Sequence, residues 1–130
     1  MESQLIKQLN LENGLCLEFH DLSRSLPGNR WYLELKVRIP IPVEMRWFGG
    51  KLAAPTDFDA LRQALGERVV FEHSSTRHYV KDDDKAAIFS RMQADLKANF
   101  QQYFNHPDFA AGFLTKLYKE HLKLPPGVNA

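Results

Sequence analysis

Apolar and polar residues alternate most regularly between Trp31 and Val43. Trp31, Leu33, Leu35, Val37, Ile39, Ile41 and Val43 share one parity, and Tyr32, Glu34, Lys36 and Arg38 share the other. A period of two belongs to a strand with one buried face, so this segment predicts the central strand of the molecule. Leu15, Leu17 and Phe19 alternate in the same way with Cys16, Glu18 and His20 behind an Asn13-Gly14 turn, which gives a first strand. The turn formers from Ser23 to Asn29 join the two as an antiparallel hairpin. Pro40 and Pro42 lack backbone donors, so that end of the strand is expected to be an edge or to lie beyond the paired region.

Residues 44–55 show no clean period and read as a connection. Beyond it, Phe58, Leu61 and Leu65 have helical spacing, with Thr56 and Asp59 in the positions of a capping box and Gly66 placed to end the helix. Arg68 to Val80 reads as a third strand. Val69, Phe71 and His73 take one face and Val70 and Glu72 the other, with Ser74-Ser75 as the place for a bulge or a turn. Asp82-Asp83-Asp84 carries carboxylates where a helix N-terminus is stabilised by capping and by charge. Phe89, Met92, Leu96, Phe100 and Tyr103 then recur at threes and fours, which predicts a helix ending near Asn105-His106. Pro107 suits the first position of a last helix, which Pro125-Pro126-Gly127 ends. Its paired columns (109/110, 113/114, 117/118, 121/122) make a stripe wider than a solvent-facing helix needs.

The order β-β-α-β-α-α, without regular alternation of strands and helices, predicts an α+β fold. The expected architecture is an antiparallel three-stranded sheet, four-stranded if 68–80 turns back on itself, with the helices packed on one face. The chain has 130 residues, 44% hydrophobic and 25% charged, as in an ordinary globular protein. No repeat, low-complexity tract or long linker divides it, so residues 1–130 are read as a single domain. Roughly two-thirds of the surface of an unfolded chain this long can be buried, so a core forms without staples, and the single Cys16 has no internal partner to bridge. Without an apolar run of membrane-spanning length or the features of a secretory signal, a soluble cytoplasmic protein is expected.

The net charge is +1. The segment 30–51 is as basic as any, with Arg30, Lys36, Arg38, Arg46 and Lys51 against Glu34 and Glu44, too little for a strong nucleic-acid surface. Within it, Arg46-Trp47-Phe48-Gly49-Gly50-Lys51 interleaves aromatics with cations, the combination that stacks on single-stranded nucleic acid. Arg46, Trp47 and Lys51 are the candidate residues for that alternative. The other reading of the stretch folds Trp47 and Phe48 under the sheet edge.

Other constellations point to chemistry only weakly. His73 and His78, with Glu72 beside them, are metal-ligand types, but residues five apart on a strand face opposite ways. Cys16 and His20 share a strand face yet stand about 13 Å apart, at roughly 3.3 Å per residue. The acidic run 82–84 lacks the alternate spacing and the glycine of a calcium loop. Asp21-Leu22-Ser23 with Gly28 departs from the D-x-S-x-x-G signature of PilZ domains. Gly28 falls two residues late and no R-x-x-x-R precedes Asp21, so no family is assigned. No metal and no cofactor is expected.

The expectation from sequence is therefore a small non-enzymatic protein-interaction domain that binds a protein partner, including itself as a homo-oligomer, with no membrane association. Trp47 and Phe48, together with Leu114, Tyr118 and Leu122 on an outward column of the last helix, are the expected contact residues, since aromatics anchor interfaces. An enzymatic or small-ligand-binding domain without a recognisable motif is the alternative, followed by single-stranded nucleic-acid binding.

Overall fold

The computed structural model describes residues 4–49 and 57–123. Its strands are β1 (Gln4–Asn10), β2 (Cys16–Asp21), β3 (Arg24–Leu26), β4 (Arg30–Pro42) and β5 (Arg68–Lys81), and its helices α1 (Phe58–Leu65), α2 (Lys85–Asn105) and α3 (Phe109–Leu122). The fold is α+β, as the pattern predicts. The strands form one antiparallel sheet with β4 at its centre, flanked by β5 along one side and by β2 and β3 end to end along the other, with β1 outside β2.

The alternation of β4 fixes which face is buried. Leu33, Leu35, Val37, Ile39, Ile41 and Val43 are buried completely or nearly so, beside Leu17 and Phe19 of β2. The helices cover this face: α2 packs across β4 and β5, and α3 against α1 and α2. Met92 and Leu96 are buried under α2, while Phe71 of β5 sits edge-on to Phe104, Phe109 and Phe113 at 5.3–5.4 Å between ring centroids. Among the described residues the opposite face of the sheet carries no helix, and most of its residues are polar. There the Tyr32 hydroxyl donates to Glu34 Oε1 (2.9 Å), the Ser74 hydroxyl to Glu34 Oε2 (3.3 Å), and Arg38 pairs with Glu72 (3.1 Å).

The prolines of β4 follow from the ladder. Leu22 N–H bonds to Glu34 C=O, so the even-numbered residues of β4 direct their backbone groups towards β2, by the alternation of antiparallel pairing. Pairing with β2 stops at Arg38. Pro40 and Pro42 are even-numbered, so their missing donors fall where no neighbouring strand needs one, although both residues are paired to β5 on the other side. The expectation that they lie beyond the paired region therefore holds on the β2 side alone.

Several expectations are corrected. Among the described residues the sheet has five strands rather than three or four, because β1 and β3 escape the pattern. In β1 every residue but Leu9 is exposed, so no alternation marks it; it is held by its ladder to β2, with a bulge at Ile6. β3 has three residues and closes onto β4 through Gly28 and Asn29, both at positive φ. The bulge in β5 lies at His78–Tyr79 rather than Ser74-Ser75: the register slips there against Tyr32, and Tyr79 sits at φ +55°. β5 is otherwise one strand, as expected. Asp57, not Thr56, caps α1, its carboxylate accepting from Ala60 N–H at 3.0 Å. The aspartates 82–84 form a 3-10 turn and give α2 no side-chain cap; Asp82 instead accepts the Trp31 indole N–H at 2.7 Å. The last helix starts at Phe109, two residues after Pro107. Lys51, Thr56 and Pro125-Pro126-Gly127 lie outside the described residues.

Turn residues tie the layers together. The Asn13 side-chain amide donates to Phe104 O (2.7 Å) and His106 O (3.1 Å), satisfying carbonyls left free at the end of α2. Ser23 N–H bonds to Asp21 Oδ1 (2.8 Å), and the Ser23 hydroxyl accepts from Glu34 N–H (3.1 Å) in the gap between β2 and β3. Among the described residues no helix is long and apolar enough to cross a membrane.

Candidate functional site

The contact residues expected from sequence do not form one surface. Trp47 is buried at 7% exposure in a single 3-10 turn after β4, with its indole N–H on Pro42 O at 2.8 Å. Pro42 O faces the side where β2 has ended, so the indole takes the bond a neighbouring strand would have made. Leu114 is fully buried, which corrects the outward column expected on α3. Both of its columns are largely consumed inside the chain, by Phe109, Ala110, Ala111 and Leu114, while Phe113, Leu117 and Tyr118 are half-buried. Phe48 is also half-buried, edge-on to Phe58 at 6.1 Å. Of the five, only Leu122 is exposed, at 63%.

In the basic-aromatic cluster Trp47 is buried while Arg46 stays exposed. The Arg46 guanidinium lies 4.2 Å from the Trp47 ring centroid and pairs with Glu44. One face of the indole is thus covered and its N–H is engaged, which leaves no open platform for a base.

The titratable clusters are equally dispersed. His73 packs on Phe100 on the helix side, whereas His78 packs on Tyr32 on the open face. Among the described residues no group of three or more metal-ligating side chains converges. His20 is buried and bonds Glu18 through Nε2 at 2.8 Å, and its Nδ1 has no partner. Burial, and then the Glu18 carboxylate, raise the Cys16 thiol above its ordinary pKa. That favours the thiol over the nucleophilic thiolate. The Tyr32 hydroxyl is also raised, chiefly by its hydrogen bond to Glu34.

A different feature has the geometry of a binding site, the outer edge of β5. Val43 N–H bonds to Glu67 C=O, and the register runs on unbroken from Pro42↔Arg68 to Leu33↔Arg77. Odd-numbered residues of β5 therefore bond to β4, while Arg68, Val70, Glu72, Ser74 and Thr76 turn N–H and C=O outwards. Among the described residues β5 pairs with no other strand. From Ser75 towards Val80 this edge adjoins a trough under α2. A hollow of about 300 Å³ there is lined by Arg77, Val80, Ile88 and Arg91, and it continues into one of about 180 Å³ lined by Ser75, Leu96 and Phe100. Met92 and Asp95 border both. The trough exists because α2 leans over β4 and leaves the inner face of β5 only partly covered. One guard stands on the edge: the Arg77 guanidinium folds back onto Thr76 O at 2.7 Å.

Sequence pattern alone did not expose this site. Its signal would have been a long strand with small polar residues, Ser74, Ser75 and Thr76, at its middle, but which strand lies outermost is a property of the topology. Compared with protein families, with curated proteins and with solved structures, the chain matches none.

Proposed function

We propose that this chain is a non-enzymatic protein-interaction module that takes up an extended segment of a partner protein along β5. The observation that carries this reading is the row of outward backbone groups at Glu72, Ser74 and Thr76, which at its Thr76 end meets a trough lined by α2. Strand addition of this kind draws affinity from main-chain hydrogen bonds and specificity from pockets for alternate side chains. An open edge is otherwise an aggregation hazard that natural sheets blunt with charge. Here Glu72 and Arg77 flank the small Ser74 and Thr76, so the edge is guarded at its ends and open between them.

A peptide library displayed against the native chain and against Ser74→Pro tests this. Proline at 74 removes an outward N–H and leaves the backbone bonds to β4 in place, at the loss of the Ser74 hydroxyl bond to Glu34. The expected result is a set of peptides enriched on the native chain alone, which protect the amides of Glu72, Ser74 and Thr76 from hydrogen exchange. Peptides that bind both proteins equally and leave those amides unprotected would refute the reading.

A second reading, self-association, is favoured by the other edge of the sheet. Among the described residues β1 pairs with β2 alone, and it exposes Leu5 (47%) and Ile6 (38%). Light scattering at tens of micromolar is expected to report a species heavier than the 15.0 kDa monomer, and Leu5→Lys to return it to the monomer. A monomer at every concentration removes this reading and leaves the β5 edge untouched.

A further inference from the structure

We infer that the segment accepted by β5 carries an acidic residue opposite Arg77 and an apolar residue two positions away, opposite Ser75. This rests on the edge-capture reading given above and names the chemistry of the partner. Three observations support it.

The first is the guard itself. Thr76 O is one of the outward acceptors of the edge, and Arg77 occupies it. A strand that pairs with Thr76 must displace the guanidinium, which then needs a new acceptor. A neutral residue leaves that charge unmatched, a lysine repels it, and a carboxylate takes it in a charge-assisted, two-pronged bond. Binding and unlatching are then one event, and only an acidic segment completes both.

The second is the charge around the trough. Arg77 and Arg91 border it, with Asp95 as the one carboxylate among its lining residues. Asp95 engages Arg91 only at 3.8 Å, and the Arg91 side chain is 82% exposed. Complementary charge of this kind steers encounter and rejects wrong partners more than it adds raw affinity.

The third is the floor. Residues opposite Ser75 and Arg77 in an added strand share the face that looks towards α2, because side chains alternate along a strand. Opposite Ser75 that face meets Met92 and Leu96, each 3% exposed, with half-buried Phe100 beside them. An apolar side chain there is removed from water against Phe100, with the exposed Asp95 and Asn99 as a polar rim.

The test uses the whole chain, labelled with nitrogen-15, and three blocked heptapeptides of sequence Thr-Thr-Val-Thr-X-Thr-Thr with X as Glu, Gln or Lys. The Glu peptide is expected to move the amide signals of Glu72, Ser74 and Thr76. It should bind about tenfold or more tightly than the Gln peptide, the scale of one hydrogen bond to a charged group. The Lys peptide should bind weakest. In Arg77→Gln the three peptides should converge in affinity while still moving the same amides. Equal affinities for Glu, Gln and Lys peptides at the β5 amides of the native chain would overturn the acidic specificity and leave edge capture standing. If none of the three moves those amides, both fall.

Discussion

Phe104→Ala lowers the stability of the chain by about 3–5 kcal/mol, the range for removing a buried aromatic ring. Phe104 is 1% exposed and stands where three elements meet. Its ring contacts Phe71 of β5 at 5.4 Å, Phe100 of its own helix at 5.9 Å and Phe109 of α3 at 5.5 Å. Such offset and edge-on pairs each add about 0.5–1.5 kcal/mol beyond the area they bury. Truncation leaves a cavity that the surrounding rings cannot close, since each is fixed to a different element. Its backbone carbonyl also receives the Asn13 side chain, a bond the substitution retains, so the loss reports packing alone. Urea melts followed by far-ultraviolet circular dichroism give the difference. A loss below about 1 kcal/mol would mean that α3 is not seated on α2 as described.

Trp47→Ala costs about 3–5 kcal/mol as well, and it leaves the oligomeric state unchanged. The sequence offers Trp47 as an exposed anchor; the structure spends it on the core and on Pro42 O. The two roles separate cleanly, because an interface residue alters association when truncated, whereas a buried one alters the midpoint of unfolding. Trp47→Phe refines the test. The ring then stays, but Pro42 O loses its donor, and about 1 kcal/mol is expected to go with it. Unchanged melting of Trp47→Ala, together with a change in light scattering, would restore the indole to the surface.

Much of the fold was legible because its strongest pattern is its centre. The seven-membered stripe from Trp31 to Val43 can bury one face only, and that face receives α2 and the inner residues of β2. The spacing from Phe89 to Tyr103 similarly placed α2 within a residue or so of its observed end. The candidate site was not legible. Its functional groups are backbone N–H and C=O groups, which every residue carries, and whether they are free depends on which strand has no neighbour. Two of the expected contact residues, Trp47 and Leu114, belong to the core for a related reason: apolar and aromatic residue types serve interfaces and cores alike, and the sequence reading that folds Trp47 under the sheet edge is the one its burial matches.

The sequence by itself determined that this chain is α+β, that β4 runs as one strand, and where the three helices lie, while the hairpin alternative for 68–80 was closed by the pairing of β5 with β4. Periodicity is a local property, and a buried face or stripe imposes it wherever it occurs. Only the tertiary structure decided that β1 joins the sheet, since an exposed strand leaves no pattern and is held by its partner's backbone. The same holds for the bulge at His78–Tyr79, which compensates a register difference between two strands far apart in sequence. It holds equally for the prolines of β4, harmless because the ladder to β2 stops at the Glu18–Arg38 pair. The free edge of β5 belongs with these: Ser74 and Thr76 present their backbone outwards because β5 is the last strand, and the order of strands is set by how the layers pack, not by any residue within them.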